Sequence, residues 1–364
     1  MKILLIEPYF GGSHQVWAEG YGRHSRHDVH LLTMPARFWT WRMRGGAISL
    51  AAETERWVTE HGRPDLVLAS DMLDLPAYLG AARRSLGDVP VALYFHESQF
   101  TYPWSPKLRT DLQYAYVNWS SMQAADLVLF NSEFHRNVVF EHLPRFLRQF
   151  PDFTHEHLIG EVAERSAVLH VGVELERFDG VSATRGEAPP LILWNQRWEH
   201  DKDPAAFFRA LFGLADDGAD FRLAVCGENF RQVPEEFAEA EKRLADHLIH
   251  FGFASEEDYV RLLCSADVVV STALHEFFGI AIVEAVHAGA FPVLPDRLSY
   301  PEIMADEVHD LVLYQEGELQ ERLRWALAHP DERREVAARL RGFLAGFDWS
   351  VMAPRYDSVL AALL

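Results

Sequence analysis

Short apolar runs alternate with longer amphipathic segments along the first half of the chain. Six such runs are KILLIEP, DVHLLTM, PDLVLAS, VPVALYFHE, ADLVLFNS and SAVLHVGV. Runs of four to eight β-branched and aliphatic residues, separated by helix-length segments, indicate parallel strands buried on both faces. The pattern therefore predicts an α/β fold, with a doubly wound, Rossmann-like domain over residues 1–178.

The alternation restarts after a stretch that has no periodicity. DGVSATRGEAPP, residues 179–190, is rich in small and turn-forming residues and is interpreted as a linker. A second doubly wound domain over residues 191–346 is predicted from the runs LILWNQR, FRLAVCGE, LIHFGF, ADVVVST, AFPVLPD and HDLVLY. Residues 347–364 carry apolar side chains at helical spacing, and we expect this helix to cross back to the first domain: Trp349, Met352, Tyr356, Val359 and Leu363.

The length of the chain supports two domains rather than one. Its 364 residues exceed the roughly 250–300 at which single cores stop growing, and 10 Trp with 24 Phe supply apolar volume for two cores. Ligands of doubly wound domains bind at the carboxyl ends of the strands. We therefore expect both domains to face a central cleft that holds the chemistry.

Charge and targeting signals narrow the functional classes. The formal net charge of −20 argues against a large non-specific affinity for nucleic acid. Residues 1–178 hold 17 Lys+Arg against 21 Asp+Glu, and residues 179–364 hold 17 against 33, so a polyanion would bind the first half. Neither a signal peptide nor a run of about 20 apolar residues is present, which predicts a soluble, cytoplasmic protein. Cys226 and Cys264 have no metal spacing and are expected to be buried.

Two groups of candidate residues follow strands of the first domain. Gly11 and Gly12 lie between the first strand and a helix, where the backbone could approach an anionic ligand; turn geometry alone is the alternative. His96, followed by Glu97, ends the fourth strand. That is the edge at which α/β ligand sites are built, although a lone histidine is more often structural.

A pair of cations follows the first strand of the second domain. In WNQRWEHDKDP, Arg197 and Lys202 precede Asp203-Pro204, which is typical of a helix start. Two cations beside a helix N-terminus predict a diphosphate clamp. The alternative is that both cations pair with the acids of the same segment.

The stretch HEFFGIAIVEA places two carboxylates in an otherwise apolar segment. We expect a loop up to about Gly279, then a helix whose first amides, at Phe278, Gly279 and Ile280, point outward and suit a phosphate. Glu284 would lie inside that helix and Glu276 in the loop. A buried carboxylate needs a partner, and sugar hydroxyls offer one. Alternatively, Glu276 is exposed and Glu284 pairs with an arginine.

Two further segments suggest acceptors. PARFWTWRMRGG interleaves cations with aromatics that could bind RNA by stacking and by phosphate contacts, unless the aromatics are core residues: Arg37, Phe38, Trp39, Trp41, Arg42 and Arg44. EFHRNVVFEHLPRFLRQF, residues 133–150, comes nearest to a lipid-binding amphipathic helix, which we expect Pro144 to interrupt.

Taken together, these segments resemble family 4 glycosyltransferases, which are two-domain GT-B enzymes that use nucleotide sugars with retention. The family mark is Glu, seven residues, Glu, with Phe-Gly after the first acid. The resemblance implies that Glu276 contacts the donor sugar, with Phe277, Phe278 and Gly279 in the donor loop, and that Glu284 contacts the ribose. It also implies that Arg197 and Lys202 bind the diphosphate and that His96 lies near the transferred sugar.

PARFWTWRMR, YFHESQFTYP, WNQRWEHDKDPAAFF and STALHEFFGIAIVEAV are similar, more narrowly, to the tRNA-queuosine mannosyltransferases. That resemblance implies transfer of mannose from GDP-mannose to the cyclopentene diol of queuosine in the anticodon of the aspartate tRNA. This chain lacks the long insertion of vertebrate members, so its exact tRNA and sugar stay open.

No metal or cofactor is expected, because no DxD-like acidic motif lies in a suitable loop and Arg197 and Lys202 already supply positive charge; no obvious nucleophile faces the sugar either. The donor would bind the second domain and the acceptor the first. As the resemblance implies, the leaving phosphate would take the acceptor proton in a front-face displacement, while His96 orients the donor. The choice of nucleotide and sugar is expected to depend on the pocket around GENFRQVP and FGFAS, where Phe253 would meet the base. Two other functions stay open: transfer to a small-molecule or lipid acceptor, and a catalytically silent tRNA-binding module.

Overall fold

The computed structural model describes residues 1–101, 112–181, 188–227 and 235–364. These residues form two compact units. The first unit comprises Met1–Val173 and Trp349–Leu364, and the second comprises Glu174–Asp348. Residues 174–178, predicted to end the first domain, therefore belong to the second, where Phe178 is buried.

A parallel sheet forms the centre of the first unit. Its strands follow the order β2-β1-β3-β4-β5-β6: β1 (Lys2–Phe10), β2 (Asp28–Pro35), β3 (Leu66–Ser70), β4 (Val91–Phe95), β5 (Leu127–Phe130) and β6 (Ser166–Val168). The helices of this part of the chain are α1 (Gly12–His24), α2 (Trp39–His61), α3 (Leu75–Leu86), α4 (Leu112–Ala124), α5 (Glu133–Leu147) and α6 (Ile159–Glu164). Strands β3 and β4 are buried along their whole length, as their continuous apolar runs predict.

The second unit repeats this architecture with a different strand order, β12-β11-β10-β7-β8-β9. Its strands are β7 (Leu191–Asn195), β8 (Arg222–Cys226), β9 (Leu248–Gly252), β10 (Val268–Val270), β11 (Phe291–Pro295) and β12 (Leu313–Tyr314). Its helices are α7 (Pro204–Asp216), α8 (Glu235–Arg243), α9 (Glu256–Ser265), α10 (Ile280–His287), α11 (His309–Val312), α12 (Leu319–Ala328) and α13 (Pro330–Leu344). The predicted α/β class with two doubly wound sheets is confirmed.

The last helix, α14 (Trp349–Ala361), packs within the first unit. The Tyr356 hydroxyl accepts a hydrogen bond from Trp17 Nε1 at 3.2 Å, and the buried Asp357 accepts one from the Tyr21 hydroxyl at 3.0 Å. A Cβ on Gly20 would lie 2.1 Å from Trp349 Nε1, so only glycine lets α1 approach this helix so closely. The helix thus completes the core of the unit that the chain left at Val173.

Local sequence signals position several helix starts. Asp203 accepts the Ala206 amide at 3.1 Å and Pro204 follows it, which confirms the predicted start of α7. The expected interruption at Pro144 is wrong, since α5 continues through it to Leu147. Leu143 and Phe146 are buried in the core, and this packing holds the helix together despite the missing amide.

Both cysteines are free and buried, as predicted. Among the described residues, no helix has the length and hydropathy needed to cross a membrane.

Candidate functional site

The carboxyl ends of β1, β3 and β4 bring several polar side chains together in the first unit. His96 directly follows β4 and is buried, and its amide donates to Asp71 Oδ1 at 2.8 Å. Its ring lies 4.2 Å from the ring of His14 and 4.6 Å from that of Trp17, between centroids. Since parallel strands end at one edge, the predicted placement of His96 at this edge is confirmed.

A buried ion pair beside His96 was not predicted from the sequence. Glu7 lies in β1 with no exposed surface, and its Oε2 is 3.0 Å from His14 Nδ1. Its Oε1 accepts the Tyr9 amide at 2.8 Å. The signal was available, because a carboxylate inside a strand buried on both faces requires a partner.

The pKa values of these groups diverge. Burial acts to lower the pKa of His14, but the Glu7 carboxylate, assisted by Asp71 and Glu97, raises it to about 9. Burial and the neighbouring His14 hold the pKa of His96 well below its usual range. Burial raises the pKa of Asp71 to about 8. At neutral pH the edge therefore combines a charged imidazolium with a neutral imidazole.

Glu7, His14 and His96 also bring donor atoms of a kind that metals use within 4.8 Å of one another, the one such group among the described residues. With Nδ1 bonded to Glu7, a metal could bind His14 only through Nε2, which carries a proton at neutral pH because the pKa of His14 is raised to about 9. We therefore assign no metal to this group.

The glycine pair has a clear conformational role. A Cβ on Gly11 would lie 2.5 Å from Ala36 Cβ, so glycine permits the close approach between the β1–α1 loop and the end of β2. Gly12 opens α1 with a left-handed φ of 55°. These observations match the turn-geometry alternative, and a donor contact at Gly11 or Gly12 stays a prediction.

The start of α2 exposes part of the predicted acceptor segment. Phe38 and Trp41 are 74% and 61% exposed, and Arg37 is also exposed. Trp39 instead packs against Tyr114, with ring centroids 5.1 Å apart.

The two remaining arginines of this segment make local contacts. Arg42 Nε donates to the Pro35 carbonyl at 3.1 Å. Arg44 donates to Gln113 Oε1 at 2.5 Å and lies over the Tyr114 ring. The segment is therefore partly a core anchor and partly an open aromatic surface.

In the second unit, Lys202 is buried directly before α7. Its Nζ donates to the His275 carbonyl at 2.7 Å and to Glu276 Oε2 at 3.3 Å, and lies 3.4 Å from Asp201 Oδ2. Because the β7 and β10 strand ends are adjacent, residues more than seventy positions apart meet here. The ammonium therefore lies beside His275 and Glu276, in the loop that precedes α10.

Arg197 is more exposed than Lys202. Its Nη1 lies 3.1 Å from Glu199 Oε2 and its Nη2 lies 3.9 Å from Asp201 Oδ2. Both cations thus have local acidic partners, as the alternative interpretation predicted. A diphosphate would have to compete with these carboxylates for the same positive charges.

Glu276 folds back on its own loop. Its Oε1 accepts the Phe277 and Phe278 amides at 3.1 and 3.4 Å. Burial acts to raise the pKa of Glu276, but Lys202 and these contacts hold it below its usual value. The expectation of an unpaired Phe278 amide is therefore wrong.

Helix α10 begins at Ile280 with Gly279 as its N-cap at φ 101°, which confirms the predicted start. The side chains of Phe277 and Phe278 are buried, and Phe278 packs on Phe347. Within the described chain, a donor could meet these two phenylalanines only through their backbone. The Ile280 and Ala281 amides precede the first helical hydrogen bonds of α10, whereas the Ile282 and Val283 amides donate to the Gly279 carbonyl.

Glu284 already has two partners in the structure. Its Oε1 lies 2.5 Å from Arg177 Nη2, and its Oε2 accepts the Tyr259 hydroxyl at 2.9 Å. Burial raises its pKa despite Arg177. The arginine-pair alternative describes this geometry, and Arg177 and Tyr259 were missed because they are distant in sequence.

Phe253 follows β9 and is 74% exposed, which leaves its ring open to a planar ligand. Most of the neighbouring segment GENFRQVP, residues 228–234, lies outside the described residues, as do Tyr102 and Pro103 of YFHESQFTYP.

Comparisons with known proteins cover nearly the whole chain. The family described as tRNA-queuosine alpha-mannosyltransferase N-terminal matches residues 2–173, and the glycosyl transferases group 1 family matches residues 180–341. A Drosophila melanogaster tRNA-queuosine alpha-mannosyltransferase is 36% identical over 84% of this chain and 82% of its own length.

Two more distant similarities extend over the full length. A GDP-mannose-dependent alpha-(1-6)-phosphatidylinositol dimannoside mannosyltransferase of Mycobacterium tuberculosis is 26% identical over 98% of this chain and 90% of its own. A glycosyltransferase structure from Rickettsia africae aligns with a TM-score of 0.71 and 14% identity, covering 100% of this chain and 98% of that one. The structural similarity concerns the fold alone.

Proposed function

Because the chain belongs to the tRNA-queuosine alpha-mannosyltransferase family of GT-B glycosyltransferases, we propose that it transfers mannose from GDP-mannose to the cyclopentene diol of queuosine in a tRNA anticodon. The predicted enzyme class, a GT-B glycosyltransferase, is confirmed by these relationships. The donor, retention, the aspartate tRNA and a cytoplasmic location are parts of the proposal.

The observation that carries the proposal is the buried ammonium of Lys202 beside the loop before α10. A diphosphate bound there would meet Lys202, the first amides of α10 and the guanidinium of Arg197. These groups stabilise the negative charge that develops on the leaving GDP, which is the largest electrostatic contribution that such a site offers. The donor nucleotide thus belongs to the second unit.

The reaction balances without a metal or a covalent enzyme intermediate. The bond between the sugar anomeric carbon and the diphosphate oxygen breaks, and a bond to an acceptor hydroxyl oxygen forms on the same face. The hydroxyl proton passes to the departing phosphate. We assign Glu276 to the donor sugar. Glu284 is assigned to the ribose, which would share this carboxylate with Arg177 and Tyr259.

The acceptor is assigned to the first unit, where Arg37, Phe38 and Trp41 are exposed at the start of α2. Exposed aromatics stack on unpaired bases and arginines bind phosphates, as recognition of an anticodon loop requires. The lipid-acceptor alternative loses its main support, because Val139, Leu143, Phe146 and Leu147 of α5 are used in the core.

The function is tested by incubating the protein with GDP-mannose and queuosine-containing tRNA, then digesting the tRNA and weighing its nucleosides. We expect queuosine to gain the mass of one hexose, and the same tRNA without queuosine to gain nothing. UDP-glucose and UDP-galactose serve as competing donors. Donor hydrolysis without transfer would favour a different acceptor, and no turnover at all would favour a silent binding module.

The donor site is tested by Lys202→Ala and Glu276→Gln. Losing the buried cation, or the carboxylate that holds the loop, should reduce transfer at least about 100-fold, since removal of one preorganised charge stabiliser typically has that effect. Lys242→Ala is the matched control, because Lys242 is an exposed lysine in α8. Full activity of Glu276→Gln with unchanged donor affinity would contradict the assignment.

A further inference from the structure

The buried pair Glu7–His14 has no part in the mechanism proposed above, although it contacts the ring of His96. Glu7 uses both carboxylate oxygens, one for the Tyr9 amide and one for His14 Nδ1. A carboxylate accepts hydrogen bonds, so Nδ1 must donate. This hydrogen bond fixes the orientation of the His14 ring.

The second ring nitrogen of His14, Nε2, takes no part in the contact with Glu7. Among the described residues, the ring makes its hydrogen bond through Nδ1, and His14 retains 7% of its surface exposed. Because Glu7 raises the pKa of His14 to about 9, Nε2 carries a proton at neutral pH. The pair therefore presents one charged N–H donor at the carboxyl edge of the sheet.

His96 adds an unused polar atom beside this donor. Its Nε2 is buried and has no hydrogen-bond partner within the described part of the chain, and the residue is only 9% exposed. A buried polar atom without a partner is costly, which points to a ligand that completes it. The ring centroids of His14 and His96 are 4.2 Å apart and the rings are tilted by 45°. Two neighbouring oxygens of one ligand could therefore each bind one of the rings.

We propose that His14 and His96 together bind the vicinal diol of the acceptor, with His14 Nε2–H donating to one hydroxyl oxygen and the His96 imidazole binding the other. His14 is then a substrate-contacting residue that selects modified bases bearing the cyclopentene diol. Glu7 is the positioning residue that holds its ring and its proton. The inference rests on the proposed function, because it takes the cyclopentene diol of queuosine as the ligand.

The charges around the pair fit a cationic acceptor. Asp71 follows β3 and Glu97 follows β4, and both act on His14 electrostatically together with Glu7. The linkage between the base and the cyclopentene of queuosine is a secondary amine, which is protonated at neutral pH. Glu97 offsets that charge near the diol, whereas Asp71 is largely protonated at neutral pH because burial raises its pKa to about 8. His135 is the further imidazole that acts on His96.

The test measures selectivity for the diol as well as activity. Free queuine, which carries the diol, and 7-aminomethyl-7-deazaguanine, which lacks the cyclopentene ring, compete with queuosine-containing tRNA in the transfer assay. The parent enzyme should bind queuine more tightly. His14→Ala should raise the KM for tRNA about 10- to 100-fold, the effect of one charge-assisted hydrogen bond, and should abolish the preference for queuine. The KM for GDP-mannose should not change.

Controls separate a ligand contact from a structural role. Ser13→Ala changes an exposed residue in the same helical turn and should leave every parameter unchanged. His14→Gln keeps a side-chain N–H donor and should restore part of the preference, which also serves if His14→Ala does not fold. Glu7→Gln should weaken the preference without changing the affinity for GDP-mannose.

Three results would overturn the inference while leaving the proposed function intact: an unchanged preference for queuine in His14→Ala, an unchanged KM for tRNA, or a parallel rise in the KM for GDP-mannose. Failure of the parent enzyme to modify queuosine would instead reject the proposed function, and the diol contact with it.

Discussion

Buried and half-buried carboxyl groups at the two strand edges differ in how their charge is compensated. Glu276 has Lys202 and two amides, and its pKa is lowered. Glu284 has Arg177 and Tyr259, yet burial still raises its pKa. Asp71 accepts one backbone amide, and burial raises its pKa to about 8. More compensating donors thus accompany the lowered pKa of Glu276 than the raised pKa values of Glu284 and Asp71.

Asp71 makes stability depend on pH in a defined direction. Between its ordinary pKa of 3.8 and the raised folded value, the folded chain keeps a proton that the unfolded chain has lost, so this contribution to stability falls as pH rises. Asp71→Asn keeps the oxygen that accepts the His96 amide but does not titrate. The free energy of unfolding of the variant minus that of the parent should be larger at pH 8 than at pH 5, by about 1 kcal/mol or more.

Urea unfolding of both proteins at pH 5 and pH 8 measures this difference. An equal stability difference at the two pH values would show that Asp71 ionises normally. Asp65→Asn is not a suitable control, because Asp65 accepts the Lys2 amide. Asp152→Asn, an exposed aspartate in the same unit, is preferable.

At the scale of elements, the start of α2 illustrates how one helix serves two purposes. Met43 and Leu50 face the core, while Phe38 and Trp41 remain exposed at the N-terminal end. Since α2 follows β2, this end lies at the carboxyl edge of the sheet. Arg42 and Arg44 have local partners, so charge reversal there would disturb packing as well as the proposed RNA binding.

Trp41→Ala is therefore the sharper test of the acceptor surface. Loss of one base-stacking aromatic should weaken tRNA binding about 5- to 100-fold, which corresponds to roughly 1–3 kcal/mol. Fluorescence anisotropy with labelled tRNA measures the affinity, and calorimetry should show unchanged binding of GDP. Phe153→Ala is the control, because Phe153 is 84% exposed but follows α5, toward the opposite edge of the sheet. Equal losses in both variants would contradict the assignment.

At the scale of the whole molecule, the chain leaves the first unit at Val173, forms the second unit and returns as α14. The first unit therefore needs both ends of the chain to complete its core. Trp349 is fully buried there, and a Cβ on either Gly20 or Gly172 would overlap its indole ring. The negative charge is concentrated in residues 179–364, which leaves residues 1–178 as the better partner for a polyanion.

Trp349→Ala should destabilise the first unit selectively. Removing a fully buried tryptophan costs about 3–5 kcal/mol, because a cavity remains. Hydrogen exchange should accelerate in α1 and α14, with little change in α7 and α10. Val351→Ala in the same helix removes a partly exposed side chain and should change exchange very little. Uniform acceleration in both units would mean that they unfold as one cooperative body.

The sequence by itself determined the two doubly wound sheets, the start of α7 at Asp203-Pro204 and the placement of His96, Lys202 and Glu276 at strand ends. These features follow from hydrophobic periodicity and from turn-forming and helix-capping residues, both of which depend on residues that are close together in the sequence. Only the tertiary structure decided that Glu7 pairs with His14, that Arg177 meets Glu284 and that the Phe278 amide is already used. Those contacts depend on which strand ends become adjacent and on which buried charges must find a partner across the fold, and neither is encoded in local spacing.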